Sequence, residues 1–513
     1  MKKLAIFLSL VFLSFGIVSC GVTTTAATTT IATTVTQTTT TAPVTTTTTT
    51  TAAIVLAAPA NLDVVLNLVT FDAVDHATRY KIRLSQGESV IGEWFVTAGF
   101  DLSLIADYGT YDIQIKAIGG GAYADSPLSD KVAIELVDPD ATNTLEAESL
   151  NDFTLIRWIG RTWYETLSGR RYFWNTASGF DVSFEGTELK ATFYATNTGV
   201  TGKHPFLVIL LDGEEDPTKG ITIELTQGQA EYTLVSELED GPHTVKVLKR
   251  SEAQDSDTAV LQIVTDGQFL APTLAKTFKI QYIGASTSVG YGDLGPANDP
   301  KTTDNSNGLL CYTYLTSYLL DAETSIFASS GWGITRGWNT GGQPSATQTI
   351  PAAYEYYATN AQNYVVTTPG QWDHSDYQPD VIVLALGGND FSSSNYASLS
   401  AAAQLEFRNA VTDAYVAFIT ALRAYHPDAY IILVYGLMSE ALHVQNVSID
   451  AATRAAAQFD RISSIKVAGA GSSGTLGSNY HPNVATYITA AGQLADHITA
   501  ITGREQVNGD IVF

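Results

Sequence analysis

From residue 277 onward the chain changes its hydrophobic period, and that change constrains the fold more than any other feature. The runs "KIQYIG", "TSIFASSG", "DVIVLALGG" and "AYIILVYG" are continuously apolar, as strands buried on both faces of a parallel sheet must be. Between them lie helical stretches such as "AAAQLEFRNAVTDAYVAFITALRAY" and "IDAATRAAAQFD". Strand alternating with helix predicts a three-layer α/β/α domain with an open parallel sheet over residues 277–505. In such a sheet a functional site belongs at the carboxyl ends of the strands.

Before residue 277 the pattern alternates instead. Residues 56–139, with "TRYKIRLS" and "YGTYDIQIKAIG", read as short half-buried strands and predict a small β-sandwich. Residues 143–273 contain "GFDVSFEGTELKATFYA", "FLVILLDGEED", "HTVKVLKR" and "AVLQIVTDG", broken by Glu-Gly and Asp-Gly turn signals. They predict a second sandwich of jelly-roll type, with no evident catalytic constellation inside it. The fold class is therefore multidomain, two β-modules followed by the α/β/α domain.

The N-terminus speaks to location. Lys2 and Lys3 precede "LAIFLSLVFLSFGIV", the charged-then-apolar order of a secretory signal. The run closes on "IVSCG", which resembles a bacterial lipobox, so residues 1–20 are expected to be a lipoprotein signal with Cys20 as the lipidated residue. Residues 21–55, nearly all Thr, Ala and Val, cannot bury a core and are expected to be an extended tether. The expectation is an exported, cell-surface protein that touches the membrane only through this lipid anchor.

Cys20 and Cys311 are the only cysteines, so neither a disulfide framework nor a cysteine-rich metal site is expected. Cys311, in "LLCYTYLTSYLL", reads as a buried small hydrophobe. The histidines and acids show no zinc-ligand spacing, and no metal or cofactor is expected. With 52 acidic against 27 basic residues and a formal charge of −25, nucleic acid is disfavoured as a partner.

The carboxyl-edge rule selects the candidate residues. Ser286 follows the first strand, Gly331 and Gly333 follow the second, and Asn389 follows the third. A hydroxyl, a glycine amide and a side-chain amide gathered at one edge are the ingredients of a nucleophile beside an oxyanion hole. The nucleophile needs a base. His374 and His426 precede strands and fall at the wrong edge, His497 sits inside the last helix, and His76, His204 and His243 belong to the β-modules. Two remain, His443 in the loop after the fourth strand and His481 in "NYHPNVATY"; Pro482 suits the first turn of a helix, which places His481 just before it and favours it.

These blocks carry a family resemblance. "IQYIGASTSVGYG", "SSGWGITRGW", "LGGNDF" and "NYHPNVATY" resemble the four blocks of the SGNH, or GDSL-type, hydrolases. A β-sandwich opening with "IRWIGRTWY" and leading into them resembles the family-2 carbohydrate esterases. "LIADYGTYDIQIKA" is similar to the tyrosine-corner region of a fibronectin type III module, with Tyr111 at the corner. The esterase resemblance implies hydrolysis of acetyl esters on polysaccharides such as xylan or glucomannan, with no cofactor. It implies Ser286 as nucleophile, His481 as base, and an oxyanion hole of the Ser286 N–H, the Gly333 N–H (rather than Gly331) and the Asn389 side chain. Tyr291, Trp332, Trp338 and Tyr480 are candidates for stacking on sugar rings, and Asp390 for a structural hydrogen-bond acceptor.

Two positions depart from the family pattern. The block usually read G-D-S is Gly284-Ala285-Ser286, and the usual D-x-x-H is Ser478-Asn479-Tyr480-His481. Losing a triad aspartate costs about 10⁴ in rate where the wrong histidine tautomer follows. A backbone carbonyl accepts only from an N–H and would hold the right tautomer without a carboxylate. The aspartate lost at Ala285 is expected to loosen the turn that aims Ser286. These departures keep open a surface carbohydrate-binding protein on an inactivated esterase. The sugar reading rests on the resemblance and the attached β-modules rather than on a specificity residue, so an esterase acting on lipids or other acyl esters stays open too.

Overall fold

The computed structural model describes residues 53–509 except 66, 107–108, 137–141, 197–201, 439–440 and 471–475. The expected signal, Cys20 and nearly all of the expected tether lie outside the described residues.

Two antiparallel sheets form the first β-module. One has three strands, Asp63–Val65, Leu68–Thr70 and Phe100–Asp101; the other runs Ser89–Val96, Arg79–Gln86, Gly109–Ile118, Val132–Leu136. Period-two patterning sends Ile82, Leu84, Ile113 and Ile115 inward to meet Val69 of the smaller sheet. Tyr111 is buried in the same core.

The second module is two six-stranded antiparallel sheets. Their facing sides bury Phe173, Phe180, Phe184 and Phe193 with Val182, Val245 and Val247. The Asp-Gly signal at Asp212-Gly213 takes left-handed backbone at both residues (φ 51° and 78°), the conformation that Gly tolerates and Asp visits in tight hairpins.

The α/β domain holds five parallel strands: β1 (Lys279–Gly284), β2 (Glu323–Ala328), β3 (Val381–Ala385), β4 (Tyr430–Tyr435) and β5 (Ile462–Lys466), ordered β2-β1-β3-β4-β5. The sequence pattern predicts the first four. β5 is an edge strand reading Ile-Ser-Ser-Ile-Lys, half-buried rather than apolar throughout. Helices α1 (Tyr312–Leu319) and α4 (Val484–Thr502) cover one face, where Leu315, Leu494 and Ile498 meet Tyr282, Val383 and Ile432. Helices α2 (Ala401–Tyr425) and α3 (Leu442–Ala456) cover the other, where Val411, Ile419 and Ala451 meet Ile382, Leu384 and Leu433.

The first of these cores does not stop at the domain boundary. Ile159, Ala177, Val208, Leu210 and Leu248 of the second β-module belong to it. The strand order reverses between β1 and β3, so the crevice of this sheet opens above their carboxyl ends. Ser286 and Asn389 follow those two strands.

Candidate active site

β1 ends at Gly284, and Ser286–Ser288 form a single 3₁₀ turn. Only glycine fits at 284, because a Cβ there would stand 2.1 Å from Ser288 Oγ. The turn is tied to the start of α1. Tyr312 Oη and Ser288 Oγ share a hydrogen bond of 3.0 Å, Thr313 Oγ1 donates to the Ser288 carbonyl at 3.2 Å, and Cys311 Sγ donates to the Thr287 carbonyl at 3.1 Å. These bonds supply the rigidity that Ala285 was expected to forfeit. Burial pushes the Cys311 thiol up to about 12, so it stays a protonated donor.

The histidine arrives on a loop with unusual backbone. Asn479 (φ 51°) and Tyr480 (φ 58°) are both left-handed, a conformation rare for a non-glycine residue. That double reversal brings the Asn479 carbonyl back to 3.0 Å from His481 Nδ1, while His481 Nε2 lies 2.9 Å from Ser286 Oγ. A carbonyl only accepts, so Nδ1 carries the proton and the Nε2 lone pair faces the serine hydroxyl, which donates. Ser478, at the position of the customary acid, is fully buried and accepts from Asn305 Nδ2 at 2.9 Å. Burial lowers the His481 pKa below its ordinary 6.5; the Asn479 carbonyl opposes the shift and the Lys301 charge adds to it. At neutral pH the imidazole is therefore a free base.

Asn389 is the second residue of the helical turn Gly388–Ser392 after β3. Its Nδ2 donates one hydrogen to the Trp332 carbonyl at 2.9 Å, leaving the second N–H for a ligand. Asp390 points the other way, fully buried, and accepts from the backbone N–H groups of Ile334, Thr335 and Arg336 at 2.9, 2.8 and 3.2 Å. It is the structural acceptor its position suggests. Gly333 is packed behind this nest, where a Cβ would meet Arg336 O at 2.0 Å and Asp390 Oδ2 at 2.4 Å. Gly331 has φ 79°.

Ser286, Asn389 and His481 share one cavity of about 590 Å³, whose wall also includes Ala285, Trp338 and His443. The aromatic candidates divide. Trp338 is 64% exposed on the cavity wall. Tyr480 is 54% exposed, with its hydroxyl bonded to Asn298. Trp332 borders the cavity but is fully buried in the core, its indole N–H donating to Asn363 Oδ1 at 2.6 Å; a ring so enclosed offers no face for a sugar. Tyr291 lies against the imidazole of His481, ring centroids 4.3 Å apart, and accepts from Asn479 Nδ2 at 3.4 Å. It steadies the histidine rather than presenting a platform.

The other histidines are placed too. His443 lies in the first turn of α3, not in the preceding loop, and stacks on Tyr396 with centroids 4.7 Å apart. The helix starts earlier than "IDAATRAAAQFD" suggests because "LHVQNVS" continues its apolar face through Val447. His374 and His426 are buried together beneath the sheet beside Tyr354.

Sequence and structure comparisons agree with this architecture. A carbohydrate esterase 2 N-terminal family model matches residues 158–273, and a GDSL-like lipase/acylhydrolase model matches residues 280–511. A cellulase/esterase of Acetivibrio thermocellus is 28% identical over 340 residues, 64% of this chain and 38% of the relative. An acetylxylan esterase/glucomannan deacetylase of Cellvibrio japonicus is 33% identical over 170 residues, 32% of this chain and 44% of the relative. The chain thus spans well under two thirds of the length of these curated relatives. A solved family-two carbohydrate esterase of Cellvibrio japonicus shares the fold at a TM-score of 0.58 and 23% identity, covering 70% of this chain and 97% of that one. Residues 158–273 are thus similar to carbohydrate esterase 2 N-terminal domains, and residues 280–511 to GDSL-like lipase/acylhydrolase domains.

Proposed function

We propose that the protein is an exported carbohydrate esterase that removes O-acetyl groups from xylan- or glucomannan-like polysaccharide through a Ser286–His481 dyad. One observation carries this reading: Ser286 Oγ, His481 Nε2, His481 Nδ1 and the Asn479 carbonyl form an unbroken hydrogen-bonded line with distances of 2.9 and 3.0 Å. The substrate class draws support from two curated acetylxylan esterase/glucomannan deacetylase relatives. A structure of a family-two carbohydrate esterase from Clostridium thermocellum in complex with cellohexaose, 23% identical, has the same fold.

His481 Nε2 takes the proton as Ser286 Oγ attacks the acetyl carbonyl. The developing oxyanion is held by the Ser286 and Gly333 backbone N–H groups and by Asn389 Nδ2, and the C–O bond to the sugar breaks as His481 returns the proton to that oxygen. Water, deprotonated by His481, then attacks the acetyl-enzyme and releases acetate. The exposed ring of Trp338 is the cavity's sugar platform. In this reading Cys20 carries the lipid anchor, residues 21–55 give reach from the cell surface, and residues 56–139 are a fibronectin type III-like spacer.

The test is acetate release from acetylated xylan, acetylated glucomannan and a small acetyl ester, comparing wild type with Ser286→Ala. Activity lost only in the variant is the expected result. Wild type and variant equally inert on all three would overturn it in favour of a binding protein on an esterase scaffold.

A further inference from the structure

The segment 249–257 of the second β-module reaches into the α/β domain at two points, and both lie directly behind the site. The first contact is a buried charge cluster. Lys301 Nζ sits 3.2 Å from Glu252 Oε1 and 2.5 Å from Asp255 Oδ1, with all three side chains at most 9% exposed. Beside it, Arg250 donates to the carbonyls of Ser306, Thr303 and Asp304 at 2.8, 3.3 and 2.9 Å. Residues 297–306 are thereby fixed from the β-module side.

The far side of that same stretch carries the histidine loop. The Asn479 and Tyr480 N–H groups donate to the Asp299 and Ala297 carbonyls at 2.9 and 3.1 Å, and Asn305 Nδ2 donates to Ser478 Oγ at 2.9 Å. Lys301 also lies 5.4 Å from the centroid of the Tyr291 ring that packs on His481. The left-handed backbone of Asn479 and Tyr480 costs energy that surrounding contacts must offset, and these are the contacts.

The second contact reaches the oxyanion side. Gln254 Nε2 donates to Ser329 Oγ at 2.6 Å and to the Ser330 carbonyl at 2.7 Å, and Glu252 Oε2 accepts from the Ser330 N–H at 3.2 Å. Two residues on is Trp332, whose carbonyl orients Asn389. The segment itself is pinned from within. Lys249 Nζ, fully buried, donates to the carbonyls of Trp174, Glu252 and Ser256 at 2.8, 3.3 and 2.8 Å.

We propose that the 249–257 segment of the second β-module is a positioning element of the catalytic site, with Lys301 and Gln254 as the positioning residues through which it sets His481 and Asn389. This rests on the esterase reading above. Neither residue touches substrate. Misplacing a catalytic group by about 1 Å costs up to the order of 10²-fold in rate, so the signature is a fall in kcat with substrate affinity retained.

The experiment measures kcat and KM for hydrolysis of 4-nitrophenyl acetate by the full chain. Lys301→Met and Gln254→Ala should each lower kcat on the order of 10-fold while KM stays within about 2-fold, and Lys301→Arg should recover most of the loss. Thermal melting establishes that each variant is folded. Because Lys301→Met leaves two buried carboxylates without their cation, the triple variant E252Q/D255N/K301M serves in its place if the single one does not fold. Gln254→Ala removes only hydrogen bonds. Wild-type kcat in the folded Lys301 and Gln254 variants, with Ser286→Ala inactive, overturns this proposal and leaves the esterase reading intact. A wild-type protein no more active than Ser286→Ala overturns both.

Discussion

Charged side chains in the two β-modules have different surroundings. Among residues 56–136 they pair at the surface, Arg83 and Lys81 on Glu93 and Lys116 on Asp125, each side chain a quarter or more exposed. Such pairs are worth about 0–1 kcal/mol, and the described hydrogen bonds and ion pairs of this module stay inside it. In residues 143–273 Lys190 and Lys219 still pair at the surface, but the half-buried Arg157 and the buried Arg161 face the α/β domain. Arg157 bridges Glu323 at 2.8 Å and Asp181 at 3.2 Å. Arg161 is enclosed by Phe327, Tyr354 and Trp372 and donates to the Tyr354 and Tyr356 carbonyls at 2.6 and 2.5 Å. Both modules are built of antiparallel sheets with period-two strands. Placement of charge, not strand pattern, distinguishes the first module from the second, whose Arg157 and Arg161 join it to the body that holds the candidate site.

Four experiments bear on that contrast. The largest effect lies inside the fused body: Asn389→Ala should lower kcat on the order of 10²–10³-fold, the loss typical of one oxyanion donor, measured on a small acetyl ester. Next, Arg161→Met leaves the buried Tyr354 carbonyl and the half-buried Tyr356 carbonyl without this donor and should cost about 2–4 kcal/mol, read as a lower urea midpoint for the α/β domain although the substitution is in the β-module. A midpoint unchanged for that domain would break the comparison.

Acid should weaken the same contact. Burial, reinforced by the Arg161 charge, lowers His374 from 6.5 to about 3 and His426 to about 4. The unfolded chain therefore binds protons that the folded one refuses, and stability falls as pH drops from about 6.5 toward 4. The slope is about 1.4 kcal/mol per pH unit for each ring, observable in urea midpoints at pH 7 and pH 5. The smallest effect belongs to the first module. Deleting residues 1–141 should leave kcat and KM on the soluble ester within about 2-fold, while the pH 5 loss of stability persists.

Much of this was legible in the sequence because it depends on patterns that letters carry. Continuous apolar runs gave four strands of the parallel sheet, and the carboxyl-edge rule brought Ser286, Asn389 and His481 together from positions 195 residues apart at the extremes. β5 escaped because an edge strand containing two serines lacks the apolar run. His443 falls inside α3 rather than in the loop before it because His, Gln and Asn interrupt the apolar residues of "LHVQNVS" and mask their helical period. Whether Trp332 is a stacking candidate or core is not legible, since a letter does not say which side of a glycine-rich turn a ring occupies; here it faces the core. Nothing in the letters of residues 250–257 announces a partner in the α/β domain. Only the structure pairs Glu252 and Asp255 with Lys301 across the module boundary.

The group that orients His481 has no codon of its own. A carboxylate in that place is one nucleotide change away from loss, whereas every residue at 479 brings a carbonyl. Heritable variation reaches it only through shape, by residues that resist the left-handed backbone at Asn479 and Tyr480. Being uncharged, the carbonyl also has no titration of its own, so acid can reach the Ser286–His481 pair through the imidazole but never by discharging its support. Divergence at Asn479 is accordingly constrained in conformation and free in chemistry, the reverse of the constraint on an aspartate.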